Sequence, residues 1–171
     1  MSHAVLGIEA DWEFYDRQQL HPMLRRRKLI GRRPIDIVRG GKEVSRLLPI
    51  KYGDLLWRTA GAFAWLCDCD GSDVPSHWSA WETQNDCIYL TPTESQSWRL
   101  HRADRRFDET LSSDGAGLCA TEVAVNRLST ELCIPELPIV CSDSRVVRLA
   151  RRLADYRGMH PEHRKVAAVL D

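Results

Sequence analysis

Cysteine, histidine and the carboxylates are the side chains of this 171-residue chain that could do chemistry, and their spacing decides which chemistry. Of the six cysteines (Cys67, Cys69, Cys87, Cys119, Cys133 and Cys141), only Cys67 and Cys69 lie close together. A structural zinc site wants a C-x₂-C pair and a second pair of ligands, which the spacing does not supply. Most of the six sit among apolar neighbours and read as small buried thiols, reduced in a cytosol. His160 and His163 are three apart at a helix start and could share a face, but a metal pair needs further ligands. His77 and His101 have many serines and cysteines for company. No nucleophile elbow and no family-specific cysteine signature accompanies any of them. The run Asp68–Asp73 is rich in oxygen ligands, yet lacks the spacing of a calcium loop and its closing glutamate. Asp114-Gly115-Ala116-Gly117 opens a helix, where free amides attract anions. The Asp114 carboxylate competes for those amides, so it is read as a cap, with the small residues allowing close packing on a sheet. No metal, no cofactor and no catalytic residue follow from these patterns; the chain is expected not to be an enzyme.

Binding chemistry is written more clearly. Arg25, Arg26, Arg27, Lys28, Arg32 and Arg33 fall within a basic segment, Arg25–Arg39. It could neutralise several phosphates in a salt-sensitive way that ignores base sequence. It could equally dock on the chain's own acidic blocks, and the sequence leaves both readings open. Lys and Arg number 24, as do Asp and Glu, so the net charge is zero. That balance excludes a uniformly basic nucleic-acid coat and an acidic mimic of DNA. The charge is blocky, however: between residues 59 and 98 there are six acids and no Lys or Arg. Six tryptophans are many for this length and are expected mainly in the core. Trp78 and Trp81 fall on opposite faces of one strand, so one of them is a candidate for contact with a partner.

The elements that must position these residues are short. The fold class expected is α+β, a small three-stranded antiparallel meander packed with about four helices. Residues 1–45 read as an extension, partly basic, docked or mobile, with a junction near Gly40-Gly41; residues 46–171 read as the domain. A helix over 12–28 is interrupted by Pro22. Asp54 is the expected cap of a helix over 55–67, with Leu55, Ala62, Phe63 and Leu66 on its inner face. Strands are expected at 77–82, 86–90 and 97–102, with Asn85 taking the positive φ of the first turn. Ser112, Ser113 or Asp114 starts a helix to about Cys133. Ser142 or Asp143 caps the next, stopped at Gly158, and His160-Pro161-Glu162 opens the last, with Val166, Val169 and Leu170 inward. No run of apolar residues is long enough to span a membrane and no secretory signal is visible, so a cytoplasmic protein is expected.

Four motifs in order resemble those of the ArdB/KlcA antirestriction proteins. Leu111 to Thr121 is similar to the pattern L-S-x-D-A-A-G-I-x-A-T. Trp78, Glu82, Asn85, Tyr89 and Pro92 fall where that family has W-x-x-x-E-L-x-N-G-G-F-Y-M-A-P. Leu48-Pro49 with Tyr52-Gly53 resembles L-P-x-x-F-G. Tyr156, His160-Pro161-Glu162 and Val166 to Asp171 resemble Y-x-x-x-H-P-E…I-x-x-A-I-D. Asp86-Cys87 stands where the family's hairpin has glycines, the acidic run 68–73 replaces D-Y-x-G-G, and residues 1–42 have no counterpart. The resemblance implies a non-enzymatic protein of plasmids, phages or integrated elements that shields incoming DNA from host type I restriction–modification, without mimicking DNA. The partners it implies are host restriction–modification or DNA-processing proteins. The partner-binding candidates it marks are Trp78, Glu82, Asn85, Asp114, His160, Glu162 and Asp171. Asp171, expected to be exposed, is the stronger contact candidate; Asp114 and Pro161 speak mainly to the fold.

Overall fold

The computed structural model describes residues 12–20, 22–23, 25–35, 47–48, 50–69, 73–132 and 145–171. In chain order its elements are β1 (Arg32–Ile35), α1 (Tyr52–Leu66), β2 (Trp78–Thr83), β3 (Ile88–Pro92), β4 (Ser97–Arg102), β5 (Phe107–Ser112), α2 (Ser113–Leu132), α3 (Arg145–Arg157) and α4 (His163–Leu170). The expected junction at Gly40-Gly41, the cap at Ser142 or Asp143, Cys133, Cys141 and the centre of the acidic run lie outside the described residues.

The class is α+β, with a three-stranded antiparallel sheet and, among the described residues, four named helices, but the sheet's membership differs from the expected meander. β2 pairs with β3 as read. The third strand is β1, supplied by the basic segment, with Arg33 opposite Glu82 and Ile35 opposite Ala80. β4 pairs instead with β5 in a separate hairpin, Arg102 opposite Phe107. The sequence conceals β5 because Glu109 occupies the half-buried position between the buried Phe107 and Leu111, which hides the alternation. No helix forms among the described residues of 12–28. Turns replace it, and the Asp16 carboxylate accepts the Gln18 amide, a local bond that competes with helix.

α2 is the axis. One side, through Leu118, Val125 and Leu128, joins a core with Tyr89 and Leu90 of β3 and Leu149, Leu153 and Tyr156 of α3. The other, through Ala116, Cys119, Ala120 and Ala124, joins a second core with Phe63 and Leu66 of α1, Leu100, Leu111 and Val166. A helix buried on opposite sides needs small residues where backbones meet. At Gly117 a Cβ would stand 2.3 Å from the Leu90 carbonyl oxygen and 2.6 Å from the Thr91 Cα. One turn on, the Thr121 hydroxyl accepts the Leu90 amide at 3.0 Å and donates to the Gly117 carbonyl at 2.9 Å. The small residues of the motif therefore bring helix and sheet backbones together, as the sequence suggested.

The inner face of α1 is as read, with Leu55, Ala62, Phe63 and Leu66 buried. Its start is one turn earlier: Lys51 is the N-cap, no side chain caps it, and Asp54 lies in the first turn. α2 is capped by the Ser112 hydroxyl, which accepts the Gly115 amide at 3.2 Å. Asp114 is thereby released from capping. In the β2–β3 turn the positive φ belongs to Asp86 (57°), not to Asn85. Asn85 instead fastens the hairpin to α3, its side-chain amide donating to the Arg152 carbonyl at 2.9 Å.

A buried and an open helical glycine should respond oppositely to alanine. Gly117→Ala meets backbone and should cost about 1–3 kcal/mol or more. Gly61→Ala in α1 meets nothing within 4 Å and should gain about 0.5–1 kcal/mol. Urea denaturation of both variants measures the difference.

Candidate functional site

Asp114, freed by the Ser112 cap, turns its carboxylate into a set of donors drawn from distant parts of the chain. Its Oδ1 accepts from Arg32 Nη1 at 2.5 Å and from the Tyr89 hydroxyl at 3.0 Å. Its Oδ2 accepts from the Tyr15 hydroxyl at 2.8 Å and from His160 Nε2 at 3.2 Å. The ring nitrogen roles follow from the other side of the imidazole. His160 Nδ1 accepts the Glu162 amide at 3.0 Å, so Nε2 carries the proton that is offered to Asp114. The Tyr156 hydroxyl donates to Tyr15 at 2.9 Å and lies 3.3 Å from that of Tyr89, linking three phenols in a row above Asp114.

Arg32 arrives on β1. Its guanidinium stacks over the Trp81 indole at 4.2 Å and donates to the Tyr89 hydroxyl at 2.6 Å. Next to it, Arg33 pairs with the buried Glu82 at 2.6 Å and covers Trp12. Arg25 donates to the carbonyls of Leu20 and Gln18. Arg26, Arg27 and Lys28 are exposed. Of the two readings of the basic segment, Arg32 and Arg33 thus follow the internal one. A groove of about 480 Å³ opens beside the cluster, lined by Arg32, Trp81, Thr91, Glu94, Ser113 and Asp114 among others.

The other marked residues fall in different places. Glu162 reaches back to Ser112, accepting its amide at 3.1 Å and its hydroxyl, so the turn before α4 is tied to the start of α2. Trp78 packs edge-on against Phe63 and donates to the Pro75 carbonyl at 2.9 Å. Trp81 donates to the Thr91 hydroxyl at 3.1 Å. Both are half-buried; the exposed indole is Trp57. The Asp171 side chain is 74 % exposed, 3.8 Å from Arg157. Arg157 in turn lies 3.4 Å from Glu122, a buried carboxylate on α2. The structure therefore gathers Asp114, His160 and Glu162 and leaves Trp78, Glu82, Asn85 and Asp171 apart. Tyr15, in the Asp114 cluster, and the buried Glu122 are charged-network members that sequence patterns do not reveal. Tyr15 stands in the acidic, aromatic stretch 11–16, and nothing local marks its partner 99 residues away.

The arrangement sets the ionisation of its members. Burial works against the Asp114 carboxylate, but the hydrogen bond from His160, the Arg32 charge and the Tyr15 hydroxyl outweigh it and hold it well below the usual range. Burial first, then the neighbouring phenols and Asp114, pushes Tyr15 far up; burial and Asp114 do the same to Tyr89. Burial raises Tyr156 to about 12. Every phenol thus stays protonated and able to donate. Glu122 is the opposite case to Asp114: burial raises it to about 7, against the pull of Arg157.

These two carboxylates bend stability in opposite directions. The folded Asp114 binds its proton more weakly than the unfolded one. Its contribution is present above the ordinary carboxylate range and is lost as pH falls. The folded Glu122 binds its proton more tightly, so its contribution is present in acid and is lost as pH rises towards about 7. Stability should peak on the weakly acidic side. Glu122→Gln should flatten the fall towards neutrality, and Asp114→Asn should flatten the acid limb while lowering the whole curve. Chemical denaturation across pH measures both.

Comparison with known proteins places this geometry. A protein-family model described as antirestriction protein matches residues 74–171, more than half of the chain. Among curated proteins nothing matches. A solved structure, described as showing that the KlcA and ArdB proteins have a novel fold and antirestriction activity against type I DNA restriction systems in vivo but not in vitro, superposes with a TM-score of 0.64. The two are 16 % identical, and the match covers 83 % of this chain and 95 % of that one. At that identity the likeness is one of fold. The matched residues contain the β2–β3 hairpin, the start of α2 with Asp114, and the segment from His160 to Asp171, and by that match the chain belongs to the antirestriction protein family.

Proposed function

We propose that this chain counteracts type I restriction–modification of a bacterial host by contact with a host protein and not by chemistry on a substrate. It would act in the cytoplasm, on behalf of a mobile element entering the cell. The observation that carries the reading is the family match over residues 74–171, which includes Asp114 and His160. The solved relative in that fold is described as active against type I systems in vivo but not in vitro, which favours an indirect route through another cellular protein. The cluster's chemistry is in keeping. His160 commits Nδ1 to the Glu162 amide and Nε2 to Asp114, and both Asp114 oxygens are saturated. An imidazole so committed has no nitrogen left to serve a nucleophile.

In this reading the domain is residues 46–171, and the segment 1–45 is an extension that lends it an edge strand. Of the partner-binding candidates, Trp78, Glu82, Asn85, Asp114 and His160 hold the frame, and Glu162 ties its two halves. Asp171 offers its carboxylate to the outside and is the contact residue.

Plating of unmodified phage on restricting cells tests the reading. Cells expressing the chain should show a rise in plating against a type I system. Asp171→Asn should lower that rise without altering the melting temperature, whereas Asp114→Asn should lower both. No rise against any type I system would remove the proposal.

A further inference from the structure

The outer side of α1 carries a second aromatic and basic constellation, built from residues outside the matched motifs. Trp57, Gly61 and Trp65 recur every four residues, so they follow one another along a single side of the helix. Trp57 is 76 % exposed, the more bare of the two indoles, and the position above Gly61 is open. Trp57 and Gly61 line a groove of about 460 Å³ between α1 and α2, which Arg127 also lines. Trp65 is half-buried and surrounded by cations. The guanidinium carbons of Arg127, Arg102 and Arg105 lie 4.5, 4.6 and 5.8 Å from its ring centre.

Three like charges around one ring repel one another unless anions relieve them. Arg102 is relieved by Asp104 at 2.8 Å and by Asp68 at 3.6 Å. Both Arg105 and Arg127 are exposed, and neither makes an ion pair within 4 Å among the described residues; Asp104 acts on Arg105 only through its field, and Glu131, which shares the groove with Arg127, is taken by Arg58 at 2.9 Å. Arg106, also exposed, follows in the same β4–β5 turn. Contact with the ring helps hold the guanidiniums in place while leaving N–H groups for an outside anion. A bare indole near exposed arginines that hold no close ion pair among the described residues is the combination that binds unpaired bases and their phosphates: the ring takes a base face, the cations take the backbone. A duplex hides its base faces, and an acidic protein surface would use the arginines but leave Trp57 without a partner.

We propose that this face binds single-stranded nucleic acid, with a base stacked on Trp57 and backbone phosphates at Arg105 and Arg127. The site draws on none of the exposed Arg26, Arg27 and Lys28 of the basic segment and does not depend on the antirestriction reading.

Fluorescence anisotropy of a labelled twenty-nucleotide oligothymidylate with the full chain at low salt is the test. Binding should weaken steeply with added salt and should quench tryptophan emission. Trp57→Ala should remove most of that quenching and weaken binding about tenfold. Arg105→Ala/Arg127→Ala should weaken binding at least about tenfold and shallow the salt dependence. Arg105→Ala alone, in an exposed turn, serves if the double variant melts early. Arg26→Ala/Arg27→Ala/Lys28→Ala should bind like the parent. The proposal is overturned if the oligonucleotide does not bind, or if the Trp57 and Arg105 variants bind it unchanged. Equal displacement by duplex DNA or by polyglutamate would also overturn it, in favour of a general anion or acidic-protein surface.

Discussion

A carboxylate that is mostly withdrawn from water must find donors for both oxygens, and the Asp114 solution organises the molecule. Its four donors come from the N-terminal segment, from β1, from β3 and from the turn between α3 and α4. Each of those segments is placed by other forces, yet each must arrive within hydrogen-bond distance of one side chain. Removing a single partner of such a group leaves the rest desolvated and unpaired, which commonly costs about 3–5 kcal/mol. The network therefore favours one arrangement of four segments over near alternatives, because any shift that breaks one bond strands several polar atoms. Its tie to α2 is doubled at Glu162, whose amide fixes the His160 tautomer while its carboxylate accepts from Ser112.

That constraint explains why the sequence leaves three candidates for the helix cap and cannot choose among them. Ser112, Ser113 and Asp114 are all capable caps, and local chemistry ranks them nearly equally. The choice is made by a tyrosine and an arginine far upstream, which claim Asp114 and leave the cap to Ser112. The legible features are those fixed by short-range patterns. The inner face of α1, the pairing of β2 with β3 and the close approach at Gly117 follow from periodicity, turn signals and size. The illegible ones depend on long-range partners or on residues that break the usual rules. Both left-handed hairpin positions, Asp86 and Arg106, are held by non-glycine residues. Arg106 in particular gives no hairpin signal between β4 and β5, so the partner strand stays hidden. Within the candidate site, Asp114 and His160 can be named from motif matches, but their meeting cannot, since it spans 46 residues.

The basic segment shows how one charge block can serve two physical purposes. Arg32 and Arg33 are adjacent, and in a strand adjacent side chains leave on opposite faces. One meets Asp114, Tyr89 and Trp81, and the other meets Glu82 and Trp12. A two-residue basic step is therefore consumed by acids on both sides of the same sheet. The zero net charge of the chain is in part the outcome of this internal matching.

Matching is incomplete elsewhere, and the contrast is informative. Around Trp65 three arginines are gathered by an aromatic ring, only Arg102 among them also holding carboxylates within ion-pair distance, and a ring attracts cations without neutralising them. Positive charge is thus paired off where β1 enters the sheet and only partly so where α1 faces the β4–β5 turn. A fold could have spread these arginines over the surface without loss of packing, since Arg105 and Arg127 are exposed. Their convergence on one indole, with a second indole left bare on the same side of α1, puts two exposed cations that hold no close ion pair among the described residues at a place shaped to use them.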